Sequence, residues 1–213
     1  KTAHEAPANA LAFLKLPVLW LCFAFFFFIT VALAAIQTFS GPALQALYGL
    51  PLSASATVVT GFTLLGAVGM VAGGFLSARV RRLELTIGLA MSMSAALMAV
   101  VAMGSVPGPV AVVLCVLAGL GSGLAGPSRD MLIRRATPPG ATGRVYGTVY
   151  SGLDAGFAVA APVLGWLMDH SQPAGVFWAA ALAWAVGIAL AALIAWQLAR
   201  SSARGAGRGL SPR

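Results

Sequence analysis

Charge is what this 213-residue sequence has least of: Asp, Glu, Lys and Arg together make up 8% of it, and only five residues are acidic. Soluble globular domains carry about a quarter charged residues, so a water-facing globule is excluded. Cysteine is scarce too, and Cys22 and Cys115 both fall inside apolar runs, where they behave as small hydrophobes rather than as a disulfide or metal ligands. There is no Gly-rich phosphate loop, no metal-ligand cluster and no nucleophile beside a base, and both His4 and His170 lie outside the long apolar runs. An enzyme, an ATP-driven machine, a resident cofactor and a bound metal are therefore not expected. The basic surplus, 13 Lys and Arg for a net charge of +8, has no nucleic-acid motif beside it, so no nucleic-acid partner is expected either.

What is present is apolar surface. Hydrophobic residues make up 60% of the chain and the mean hydropathy is +0.92, arranged in runs of roughly twenty residues. Runs at 16–39, 54–78, 85–103, 110–128, 145–168 and 176–199 are each long enough, at about 1.5 Å per residue, to cross a core of about 30 Å. Breakers separate them: Ser40-Gly41-Pro42 and Pro51, Pro107-Gly108-Pro109, Pro138-Pro139-Gly140, and Pro173. The expected organisation is a polar cytoplasmic lead-in over 1–15, a six-helix membrane bundle over 16–199 and a basic cytoplasmic tail over 200–213. The chain starts Lys-Thr-Ala-His-Glu, with no initiator Met and no signal peptide, and is expected to be part of a longer protein.

Basic residues orient the bundle, because short Lys/Arg-rich loops stay cytoplasmic. Lys1 and Lys15 precede the first run, and Arg79, Arg81 and Arg82 lie between the second and third. Arg129, Arg134, Arg135 and Arg144 lie between the fourth and fifth, and Arg200, Arg204, Arg208 and Arg213 follow the sixth. These are all thirteen basic residues, and the other three loops hold none. The alternation places both termini in the cytoplasm and the chain in a plasma (bacterial inner) membrane. Trp20 and Trp196 near inner ends, and Trp166 and Trp178 near an outer loop, fit interfacial anchoring.

Helices in lipid approach closely through small residues. Gly69 and Gly73, Gly119 and Gly123, Gly143 and Gly147, and Gly152 and Gly156 each form a Gly-xxx-Gly pair on the second, fourth or fifth run, and are expected to mark helix contacts, within the chain or with a missing partner. Residues 61–79 laid on 152–170 match at five of nineteen positions, a weak internal echo between helices of opposite direction. Three-helix units repeated in inverted orientation are a recurrent plan of secondary transporters.

At this point the sequence resembles a known family. Six helices with both ends inside, the stretch from Pro127-Ser128-Arg129-Asp130 to Gly165-Trp166-Leu167-Met168-Asp169, the loop Gly143-Arg144-x-x-Gly147, and Gly156 with Pro162-x-x-Gly165 are similar to the C-terminal half of a major facilitator superfamily transporter, of the bacterial efflux type. The run Gly74 to Arg82 looks like an altered copy of that family's Gly-xxx-Asp-Arg-x-Gly-Arg-Arg loop, with Ala78 where Asp is the rule. The resemblance implies an all-α membrane fold built as two inverted three-helix repeats, with an N-terminal six-helix half as partner beside the lipid bilayer and a small-molecule substrate. It also implies that the first and fourth helices line the cavity, the second and fifth flank it, and the third and sixth face lipid. Structural or gating roles are implied for Arg79, Arg81, Arg82, Arg129, Asp130, Arg144, Gly152, Gly156, Pro162 and Gly165.

Asp154 is the one acidic residue deep in a run. An ionised carboxylate there costs about 2.5–3.5 kcal/mol on insertion scales, so it faces the bundle interior or water. Tyr146, Tyr150 and Asp154 share a helical stripe that Phe157 and Ala161 continue. Two roles stand open: a proton-titrating or substrate-contacting carboxylate, or a structural one satisfied by Tyr150, Ser151 or an Arg. Thr30, Gln37 and Thr38 are either cavity-lining groups or polar glue between helices. Asp130 is expected to pair with Arg129, Asp169 and His170 to form a solvated outer helix end, and Phe25 to Phe28 to serve as lipid-facing and packing surface. The functional expectation is half of a transporter exporting a small amphiphile or drug in exchange for protons. The alternatives are a non-transporting scaffold or oligomerising half, or a transporter for metabolite uptake.

Overall fold

A computed structural model describes residues 17–80, 82–136 and 142–208. Lys1, Lys15, Arg81, Pro139, Arg213 and the 1–15 lead-in lie outside them, as does the end of the tail.

The described residues are all helical between short turns: α1 (Pro17–Ala34), a wide π-type turn (Ala35–Phe39), α2 (Ser40–Tyr48), α3 (Ser53–Arg79), α4 (Leu83–Ala102), α5 (Gly108–Ala136), α6 (Thr142–Asp169) and α7 (Pro173–Arg208). α1, the wide turn and α2 act as one span, so six helices are long and apolar enough to cross a membrane. Helices are what an apolar chain without water must form, because they satisfy their own backbone.

One break foreseen from the sequence is not a break. Ser40-Gly41-Pro42 continues the first span to Tyr48, because Pro42 sits in the first turn of α2, where a missing N–H costs no helical bond. Pro127 and Pro162 are likewise held inside α5 and α6. The span does end at Gly49, which adopts φ 65° and donates its N–H to the Gln45 carbonyl at 3.0 Å.

Packing follows the order α3, α5, α4, α7, α1, α6, each helix resting on the next. Two parallel seams stand out. In the first, a Cβ at Gly119 would strike the Phe62 carbonyl, one at Gly123 the Gly66 carbonyl, and one at Gly73 would meet the Leu124 carbonyl at 2.5 Å. In the second, Gly152 and Gly156 would each meet a backbone oxygen of α1, Phe23 O and Phe27 O, at 2.6 Å. Contacts advance in the same direction along both partners, so α3 runs parallel to α5 and α1 to α6. Exchanging the two three-helix units turns one seam into the other, as inverted repeats require.

Three Gly-xxx-Gly pairs therefore mark contacts as expected. At the fourth, no described residue lies within 4 Å of a Cβ built at Gly143 or Gly147, so it marks no contact among the described residues; the same holds for Gly165. Spacing identifies a smooth face but not whether a helix covers it. The aromatic run also divides, with Phe25 and Phe26 fully buried in the core and Phe27 and Phe28 half-buried, so its first two rings are not lipid-facing. Between α4 and α5, Gly121 lies against Ser94, whose hydroxyl donates to the Ala118 carbonyl at 2.7 Å.

Arg79, Arg82, Arg134 and Arg135 gather at one end of the bundle. Arg200 joins them there, its guanidinium 4.3 Å from the Trp196 ring centre. At the opposite end the Tyr48 hydroxyl donates to the Val101 carbonyl at 2.6 Å, tying α2 to α4.

Candidate functional site

α6 is two-faced for a reason legible in its residues. Val149, Gly152, Gly156, Ala160 and Leu164, three or four apart, form the buried stripe that lies on α1. The opposite stripe carries Tyr150, Asp154, Phe157 and Ala161, all exposed.

Tyr146 and Tyr150 stack with ring centres 5.7 Å apart and planes 17° from parallel. The Phe26 ring of α1 is centred 4.9 Å from that of Tyr150, and the Arg129 guanidinium of α5 stands 5.0 Å from the Phe26 ring centre. Arg129 Nε also donates to Asp130 Oδ1 at 3.0 Å. Three helices thus converge on one aromatic bridge, with a cation held over a π face, an attraction of about 0.5–2 kcal/mol. Sequence reasoning singled out Arg129, Asp130 and the tyrosines but missed Phe26 as their link, since a contact between α1 and α5 leaves no local signal.

Asp154 lies one turn beyond Tyr150, about 18 Å from the start of α6 and about 22 Å from its end. It makes no hydrogen bond or ion pair with any described residue. Of the internal partners considered for it, Ser151 donates to the Thr148 carbonyl at 2.7 Å and Arg129 holds Asp130, while Tyr150 is one turn away and stacks on Tyr146.

Gln37 and Thr38 are exposed on the wide turn, which abuts α6. Thr30 is not with them. It is fully buried, donates to the Phe26 carbonyl at 2.9 Å and packs where a Gly156 side chain would stand, so it belongs to the α1–α6 seam. Arg79 and Arg82 are exposed; the Arg144 side chain lies outside the described residues. Pro162 is exposed on α6 beside the open Gly165. His170 Nδ1 lies 2.8 Å from the Trp166 carbonyl and its ring 4.2 Å from the Trp166 ring, a local helix-end arrangement exposed with Asp169. Among the described residues no group of His, Cys, Asp and Glu could hold a metal ion.

Six crossing-capable helices, joined by two parallel glycine seams and carrying a carboxylate within the fifth span, define a multi-pass membrane protein. The chain belongs to the Major Facilitator Superfamily, whose family model matches residues 20–212. No curated protein matches the sequence.

Proposed function

We propose that this chain is the C-terminal six-helix half of a proton-coupled transporter that exports a small amphiphilic molecule by alternating access. The observation that carries the reading is Asp154: a carboxylate in mid-span, without a partner among the described residues, on the exposed face of α6 one turn beyond the stacked tyrosines. A group this costly to insert is retained where it meets water, substrate or protons. Tyr146 and Tyr150 offer the substrate a flat apolar wall, Gln37 offers it an amide, and the Arg129–Asp130 pair holds the wall in register.

α3 and α6 supply the seat for the N-terminal half. Only 22% of each of their spans is buried, against 56% for the first span, and α3 leaves Leu64, Val68, Val71 and Phe75 uncovered. The arginine-bearing end and both termini face the cytoplasm of a plasma (bacterial inner) membrane. Single-cysteine labelling tests that sidedness: Pro107 and Pro173 should react only from outside and Arg82 only from inside, and cytoplasmic labelling at Pro173 would overturn it.

The uncovered faces of α3 and α6 would equally serve a six-helix scaffold without transport activity. Asp154→Asn in the full-length transporter separates the readings, because it keeps shape and hydrogen bonding but removes titration. Transport driven by a pH gradient should fall at least tenfold while substrate binding and folded yield persist. Gradient-driven transport at the wild-type rate would rule out the coupling role.

A further inference from the structure

α3 and α4 follow one another through a turn of only three residues, 80–82, yet they scarcely touch. Each leans on α5 instead, so the two helices splay and leave a wedge between them. The wedge is a groove of about 620 Å³, within the roughly 300–1,000 Å³ range of small-molecule sites. Leu76 and Val80 form one wall, Leu85, Leu89 and Met93 the other, and Leu124 of α5 lies at the back. Arg82 stands at its mouth.

From these features we infer that the groove is a binding site for one anionic phospholipid, with an acyl chain in the wedge and the phosphate at Arg82 and Arg79. The two ends of the groove have the polarity of such a molecule. Its walls are apolar apart from Thr86 over the nine residues from Leu85 to Met93, about 12 Å along α4, and Arg82 makes its mouth cationic. Arg82 and Arg79 are both exposed and have no hydrogen bond or ion pair among the described residues. The nearest acid in sequence, Glu84, lines a different pocket with Arg135, so it leaves the mouth positive. A guanidinium fork suits a phosphate, and the bilayer boundary is where long basic side chains settle.

The single cation at the mouth and the apolar walls behind it match a headgroup phosphate followed by an acyl chain. The inference does not depend on the direction of transport or on which side the arginine end faces.

Native mass spectrometry of the chain released from nanodiscs made with equal phosphatidylglycerol and phosphatidylcholine provides the test. Wild type should retain one phosphatidylglycerol, and Arg79→Gln with Arg82→Gln should retain at least tenfold less. Arg200→Gln, at the same end but away from the groove, should retain it as wild type does. Leu85→Trp, which fills the aliphatic wall, should reduce retention with both arginines intact. A Trp introduced at Leu89 should be quenched more strongly by brominated phosphatidylglycerol than by brominated phosphatidylcholine at equal mole fraction. Equal retention of the two lipids by wild type, or retention unchanged in the double arginine variant, would overturn the proposal. A second copy of the chain crosslinking through Leu89 in place of lipid would overturn it as well.

Discussion

The two parallel seams occupy equivalent places in the two three-helix units but are built from different residues. Where α3 meets α5, both helices contribute glycine: Gly66, Gly69 and Gly73 on one side, Gly119 and Gly123 on the other, so backbone lies on backbone over several turns. Where α1 meets α6, only α6 contributes glycine, and α1 answers with Phe23, Phe27 and Thr30. The first seam has no room for chemistry and reads as a fixed rib. The second keeps large side chains beside it, and its neighbour Phe26 reaches both Arg129 and Tyr150. Inverted repetition thus fixes where helices meet, while the residues on each side decide whether the meeting place also carries function.

Substitution should separate the seams by size of effect. Gly119→Leu or Gly123→Leu should nearly abolish folded yield in detergent, because the added carbons would occupy the positions of Phe62 and Gly66 carbonyls and neither backbone can yield. Even Gly123→Ala should cost about 2–4 kcal/mol. At the second seam Gly152→Leu and Gly156→Leu should reduce yield severalfold, and Gly156→Ala should still be costly, because its Cβ would meet the Phe27 carbonyl oxygen at 2.6 Å and the Thr30 Cβ at 2.9 Å. Size-exclusion yield and thermal denaturation measure both sets, and equal losses at the two seams would erase the distinction drawn between them.

A smaller effect is expected at the bridge. Phe26→Leu keeps the core filled but removes the π face, so it should cost about 1–2 kcal/mol and weaken substrate binding as much as Arg129→Gln does. A double variant no worse than either single one would confirm that the two residues act together; additive losses would count against it. Smallest of all, Gly147→Ala should leave yield unchanged or raise it by up to about 1 kcal/mol of stability, since open space surrounds the glycine and alanine favours helix. A clear loss there would point to a partner surface at the start of α6.

Composition and run length were enough to place six spans, because an apolar run of twenty residues has few other homes. Helix ends were less legible. α5 extends past Ser128 to Ala136 and the first span past Phe39 to Tyr48, because a proline or a basic cluster does not stop a helix whose backbone bonds are satisfied locally. Gly119 and Gly123 were readable as contact residues; Gly143 and Gly147 obey the same spacing but meet no described residue, because the rule sees smoothness and not what covers it. Asp154 stood out by its cost. Its stripe with Tyr146 and Tyr150 follows from helical geometry alone, whereas Phe26 and the splay of α3 from α4 are tertiary facts.

The wide turn at Ala35–Phe39 gives the first span a joint. One extra residue per turn interrupts the regular ladder between α1, held on α6 by Gly152 and Gly156, and α2, tied to α4 by the Tyr48 hydroxyl. The two segments share α7 as a neighbour, while α1 also lies on α6 and α2 is bonded to α4, so the change of helical pitch falls where the span passes from one set of contacts to the other. Gln37 and Thr38 sit on the pivot itself, where a small change of bend re-aims both side chains at once.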